Sequence, residues 1–244
     1  HAAEGTRRHG AFADDVYLHR GIDTMFPSRR AFLFLQGPDS PFLSQLGQRL
    51  TDDGLGALVY GAADAGEITE AEAAMLVRSF LSAGVDTTVT GIGNALWCFA
   101  QNPGQWQALR EDRSLVRPAF EEVLRHTSPV HTFARTANVD TAIAGHPVAE
   151  GTKVICCLGA ANHDPAKWGD PDRFRIDRRP VGHMAFGAGI HGCVGQNIAR
   201  GELDALLTVM AERIARIEPA GDAVWRPNNA IHSLDRLPLT LIPN

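Results

Sequence analysis

The chain has no excess of positive charge. Its 244 residues carry 23 Lys and Arg against 28 Asp and Glu, a formal net charge of −5, so nucleic acid is not an expected partner. Its four cysteines, Cys98, Cys156, Cys157 and Cys193, show no CxxC spacing, which excludes the usual zinc and redox patterns. Cys156 and Cys157 are adjacent in a Val-Ile-Cys-Cys-Leu run and would face opposite ways in a strand. With Cys98 they read as core residues, not as a disulfide framework, and this predicts a reducing, cytoplasmic setting. A long apolar run is also missing. The longest weakly charged stretch, 79–109, contains Asp86, Asn94, Pro103 and several threonines, and is a poor membrane span. No signal-peptide pattern, internal repeat or low-complexity segment is visible. The sequence starts at His1 and not at Met, which predicts a fragment or a processed product. What is present is an ordinary globular composition, 44% hydrophobic and 21% charged, long enough for one good-sized core.

Residues 1–45 show short apolar pieces punctuated by Gly10, Gly21, Pro27, Gly37, Pro38 and Pro41, with no clear period. The pattern improves from Gly54. Thr69 to Glu72 reads as a capping box, followed by helical spacing through Leu76, Val77, Phe80, Leu81, Leu96 and Phe99. Asn102-Pro103 ends that helix, with Asn102 positioned to cap the next one and Pro103 at its first position. A further helix is predicted around 118–126, broken by Ser128-Pro129. Strand-like pieces follow at 141–143, 146–148 and 153–158, and a last strand pair at 230–242. Leu203, Leu206, Leu207, Met210, Ile214 and Ile217 predict a helix after Cys193.

Three constellations carry chemistry. The first runs from Phe186 to Gly195, Phe-Gly-Ala-Gly-Ile-His-Gly-Cys-Val-Gly. It sets Cys193 at the end of a glycine-rich loop, just before a helix. A thiolate there is stabilised by the helix dipole and by free backbone N–H groups, and glycines let the backbone approach something large and flat. Such a cysteine suits an axial ligand to haem iron; the bland reading is a buried cysteine in a glycine turn. The second is the polar notch Ala83-Gly84-Val85-Asp86-Thr87-Thr88, in which Asp86 is the only charge between Arg78 and Arg110. An acid and hydroxyls in mid-helix are unfavourable by propensity and tend to bend the helix; the bland reading is a surface Asp. The third is Glu122 with Arg125, three apart on one helix face, which would otherwise be a solvated pair worth little.

At these residues the chain resembles the cytochromes P-450. Phe186, Gly189, His191, Cys193 and Gly195 stand in the spacing of that family's cysteine signature, Ala83 to Thr87 resembles its oxygen-activating motif, and Glu122-x-x-Arg125 its buried ion motif, in the family's order. The resemblance covers roughly residues 54–244 and matches the C-terminal portion of the family's domain, with 1–53 unassigned. It implies a mainly α fold with a small β-sheet, N-terminally truncated. It implies haem b held by Cys193 as iron ligand, by Arg135 and His191 at the propionates, and by Phe186, Gly187, Gly195 and Ala83. It assigns proton handling to Asp86 and Thr87, bracing to Glu122, Arg125 and Arg173, and the substrate wall to Ser79, Ala83, Val130 and Phe133. The implied activity is a monooxygenase acting on a small organic substrate, with electrons from NAD(P)H through a ferredoxin-type or flavoprotein donor. The runs 81–89 and 128–133, with Asn228-Asn229, look most like bacterial members that oxidise para-substituted benzoates by hydroxylation or O-demethylation. Rival readings are a non-enzymatic haem-binding remnant, a metal site from His183, His191 and Cys193, and a helical scaffold without a substrate.

Overall fold

A computed structural model describes residues 54–244; readings that fall on 1–53 lie outside the described residues. Six helices are described: α1 (Leu55–Asp64), α2 (Glu70–Gln101), α3 (Pro103–Glu111), α4 (Val116–Thr127), α5 (Leu158–Asn162) and α6 (Gln196–Arg213). Eight short strands join them: β1 (Thr132–Thr136), β2 (Thr141–Ile143), β3 (His146–Val148), β4 (Lys153–Cys157), β5 (Ile214–Pro219), β6 (Val224–Trp225), β7 (Leu234–Arg236) and β8 (Leu239–Pro243).

The capping box is formed as the sequence predicts. Thr69 Oγ1 accepts from the Glu72 N–H at 3.2 Å, and the Glu72 carboxylate accepts from the Thr69 N–H at 2.8 Å. The far end of α2 corrects the sequence reading. The Asn102 side chain donates back to the Cys98 carbonyl at 2.8 Å and does not cap α3, so it satisfies an orphan carbonyl of the helix it closes. Pro103 does open α3, where its missing N–H costs nothing.

The strands form four antiparallel pairs, β1 with β4, β2 with β3, β5 with β8 and β6 with β7. The expected strand pair within 230–242 is thus two strands, each paired with an earlier one. The β2–β3 hairpin turns on Ala144 and Gly145, both at positive φ (49° and 82°), the handedness that matches strand twist. The apolar spacing after Cys193 overran its helix: α6 ends at Arg213, and Ile214 and Ile217 belong to β5. A spacing of three suits a helix and not a regular strand, but β5 shifts register between Ile214 and Arg216, and the β8 ladder, with Ile217 opposite Leu241, captures the backbone.

The core gathers the second half of α2, α3, α4, α6 and β5 around Phe99, Trp106, Phe120, Leu203, Leu207 and Ile217, all buried. Phe99 meets Trp106 and Phe174 edge-on, with ring centroids 5.1 and 5.7 Å apart. Burying each such side chain stabilises the fold by roughly 1.5–3 kcal/mol. Cys98 is buried there, and burial pushes its thiol up. The adjacent pair departs from the core reading: Cys156 is half-buried and Cys157 exposed, because β4 pairs with β1 alone. The first half of α2 has few buried residues, Ala73 and Val77, whereas the stretch from Thr90 onward is largely buried.

Candidate haem-thiolate site

The Cys193 loop is held by its own backbone. The Phe186 carbonyl accepts from the Cys193 N–H at 2.9 Å, and the Gly192 N–H donates to Gly189 at 3.0 Å. Gly187 sits at φ 69°, and a Cβ there would lie 3.0 Å from the His191 carbonyl oxygen; a side chain would meet both strain and a clash. The loop delivers an exposed Cys193 two residues before Gly195, which precedes the first turn of α6. Ile190 and Val194 beside it in sequence are 98% and 79% exposed. Uncovered apolar side chains flanking an exposed thiol are costly unless something apolar lies on them.

Behind the loop lies the ion network, whose membership corrects the sequence reading. Glu122 and Arg125 are both fully buried. Arg125 forks onto the carboxylate at 2.8 and 2.9 Å, and the Arg175 N–H donates to it at 3.1 Å. The second cation is Arg178, with Nε 3.0 Å from Glu122. Arg173 is exposed and contributes its carbonyl, which accepts from Arg178 at 3.0 Å. Phe174 takes the buried position next to it, so Arg173 points outward and the guanidinium five residues on turns in. Four arginines within 173–179, at 173, 175, 178 and 179, compete for that place. Two further residues went unread. Asn162, fully buried, donates to Ser128 Oγ at 2.9 Å and accepts from the Met184 N–H at 2.6 Å, while its carbonyl takes Arg125 at 2.9 Å. It joins the end of α4 to the segment leading into the cysteine loop.

Glu121, the neighbour of Glu122, faces the loop itself. His183 Nε2 lies 2.8 Å from one carboxylate oxygen, and Arg200 Nε 2.5 Å from the other. Burial pushes the Glu121 carboxyl up, but the hydrogen bonds from His183 and Arg200, with the Arg200 charge, outweigh it and bring it down to about 2. The Ala185 N–H donates to His183 Nδ1 at 3.2 Å, so both ring nitrogens are engaged. His183 is therefore no ligand beside His191 and Cys193, and no cluster of three or more metal-ligating side chains occurs among the described residues.

On α2, Thr87 Oγ1 donates to the Ala83 carbonyl and Thr90 Oγ1 to the Asp86 carbonyl, each at 2.7 Å. The helix runs unbroken through both. Asp86 lines a cavity of about 120 Å³ with Thr90, Asn228, Ile231, Ser233 and Asp235; neither Thr87 nor Cys193 lines it. Ser79 and Ala83 are exposed on the same helix, and Ser79 bonds its own helix at the Met75 carbonyl. Val130 bridges to Ile231. Phe133 is half-exposed, with the Arg135 guanidinium 5.3 Å from its ring. Arg135 and His191 are both exposed, and Arg135 forms no ion pair with a described residue.

These residues fit a haem. The donor is a single accessible thiolate-forming group at a helix N-terminus, apolar side chains flank it uncovered, and an exposed arginine and histidine are available to carboxylates. A helix-dominated chain with such a loop behind a buried Glu–Arg network defines a haem-thiolate fold. The chain belongs to the cytochrome P-450 family, whose model matches residues 43–230. It is 46% identical to cytochrome P-450 CYP199A2 of Rhodopseudomonas palustris over 217 residues, covering 88% of this chain and 53% of that protein. Among solved structures it resembles the tirandamycin C-bound monooxygenase TamI, with a TM-score of 0.77 at 34% identity over 82% of this chain and 53% of that one. It also resembles CREJ in complex with (4-ethylphenyl) dihydrogen phosphate, with a TM-score of 0.78 at 29% identity over 86% of this chain and 53% of that one. The chain spans about half the length of the curated relatives it matches. No helix among the described residues is long and apolar enough to cross a membrane.

Proposed function

We propose that this chain carries the iron-binding and oxygen-handling half of a haem-thiolate monooxygenase that inserts one oxygen atom of O₂ into a small organic substrate. The observation that carries the reading is the exposed Cys193 just before α6, with exposed apolar residues, Ile190 and Val194, near it in sequence. Haem b, when bound, supplies the oxygen-activating chemistry. Cys193 Sγ would ligate its iron, Phe186, Gly187, Gly195 and Ala83 would lie against the ring, and Arg135 and His191 would pair with its propionates. Thr87 Oγ1 already donates to the Ala83 carbonyl, so its lone pairs are left to accept a proton donor. Asp86 borders a cavity of mixed polar and apolar lining and would help relay protons from solvent toward the Thr87 turn. Electrons would come from NAD(P)H through a ferredoxin-type or flavoprotein partner.

The substrate reading is a para-substituted benzoate, met by Ser79, Ala83, Val130 and Phe133. Its support is the resemblance of the local runs at 81–89 and 128–133, with Asn228-Asn229, to benzoate-oxidising members of the family. The ligand named for CREJ is likewise a small para-substituted aromatic anion.

The test is the absorption spectrum of the reduced, CO-bound chain after haem supplementation. A strongly red-shifted thiolate band, lost in Cys193→Ser, is the expected result; a shorter-wavelength band or none overturns the reading for this chain. In the loaded protein, a spin shift with 4-methoxybenzoate checks the substrate class, and no shift at saturation counts against it.

A further inference from the structure

Glu121, His183 and Arg200 have no place in the mechanism above, yet they converge on one point. Glu121 projects from α4, His183 from the segment entering the cysteine loop, and Arg200 from the second turn of α6, which leaves it. One carboxylate thus ties both ends of the loop to the scaffold. His183 donates to one oxygen, and Arg200 spans both at 2.5 and 3.1 Å. Gln196 fixes the guanidinium from its other side, its Oε1 accepting from NH1 at 2.7 Å. With its fork directed by these partners, the Arg200 guanidinium lies 4.5 Å from the centroid of the Phe186 ring. His183 flanks the same ring at 6.1 Å. The carbonyl of Phe186 is the acceptor for the Cys193 N–H. The chain of contact therefore runs from Glu121 through Arg200 to Phe186 and on to the backbone of Cys193.

A guanidinium between a carboxylate and an aromatic face has planar requirements that an ammonium does not meet. Its side chain is about one-fifth exposed, as is that of Glu121, so the geometry is held in a partly desolvated setting where a charge-assisted fork is strong. The outlay is local: the core beneath, at Leu203 and Leu207, is complete without it.

We infer that Arg200, held by Glu121 and His183, is a positioning residue that fixes the Phe186 ring and through it the orientation of the Cys193 backbone, and so of the thiol that would meet the iron. This rests on the haem-thiolate reading for its purpose, though not for its geometry.

Two measurements separate the clamp from that reading. The first is hydrogen exchange across 181–200 in the haem-free full chain. In Arg200→Gln and in Glu121→Gln the Cys193 amide exchanges at least tenfold faster than in the parent, while amides of α4 keep their protection. Arg200→Lys recovers less than half of the loss, because charge without the planar fork does not hold the ring. Exchange at Cys193 within twofold of the parent in both Gln variants overturns the inference, as does full recovery with Lys. Should Arg200→Gln loosen α4 as well, Glu121→Gln and Arg200→Lys decide on the same criteria. The second is the reduced CO spectrum of haem-loaded protein. The Gln variants shift at least half of the thiolate-type absorbance to the shorter-wavelength form, and an unchanged ratio overturns the inference. If the parent itself takes up no haem, the functional reading fails, and the exchange result still stands for or against the clamp.

Discussion

The two sides of the cysteine loop are built on opposite terms. Behind it, Glu122 and Arg125 are wholly enclosed, and every oxygen of the carboxylate is met by a guanidinium or an N–H. On the loop itself, Cys193, Ile190 and Val194 stand open to solvent. A buried network is costly when one member is missing and close to neutral when complete. An open apolar edge is costly until something covers it. The buried network is thus complete within the chain, whereas the exposed apolar residues are left uncovered by it.

The sharpest way to break this contrast is Glu122→Ala. It leaves two arginines without a counter-ion, one of them fully buried, and should cost about 3–5 kcal/mol in denaturant unfolding, with haem uptake abolished. Normal haem content in that variant would refute the role of the network. Acid probes the largely buried neighbour, Glu121. The Glu121 carboxyl is held at about 2 in the folded chain, below its ordinary value. Its stabilisation is complete above the unfolded value near 4.5 and is lost as pH falls from there toward 2, on the order of 2–3 kcal/mol at most. Equilibrium unfolding between pH 5 and 3 should show a smaller loss in Glu121→Gln than in the parent. A milder comparison tests which arginine braces the network. Arg178→Ala should cost about 2 kcal/mol, because Glu122 and three carbonyls lose a charged donor. The exposed Arg173→Ala should stay within about 0.5 kcal/mol; equal losses would restore the reading that places Arg173 in the network. The smallest effect belongs to the open side. Cys193→Ser should leave stability within about 0.5 kcal/mol while removing any thiolate-type CO spectrum.

The sequence made the open side more legible than the closed one. Cys193, Asp86 and Thr87 sit in short runs whose chemistry is local: a glycine loop, a charge in an apolar helix, a hydroxyl next to it. The Glu122–Arg125 pair was visible for the same reason, since three residues on a helix share a face. The second cation was not. Arg173, Arg175, Arg178 and Arg179 lie within seven residues of irregular backbone, where no period says which one turns inward. Asn162 and Glu121 act across 22 to 79 residues of chain, and nothing local marks them. The same limit applied to the strands. The segment near 230–242 announced β structure, but partners at 214–219 and 224–225 are a matter of tertiary pairing. Where α6 yields to β5, the apolar spacing read as helix, and the ladder with β8, with its register shift between Ile214 and Arg216, decided otherwise.

The spans of those contacts also differ in what closing them costs. Arg125 finds Glu122 three residues away, Asn162 reaches Met184 across 22, and Arg200 closes on Glu121 across 79. Closure over longer stretches costs more chain entropy, by only about 0.6 kcal/mol for each doubling of length. The tie between Glu121 and Arg200 therefore depends most on the intervening fold being in place, whereas the loop's own bond from the Cys193 N–H to the Phe186 carbonyl closes over only a few residues.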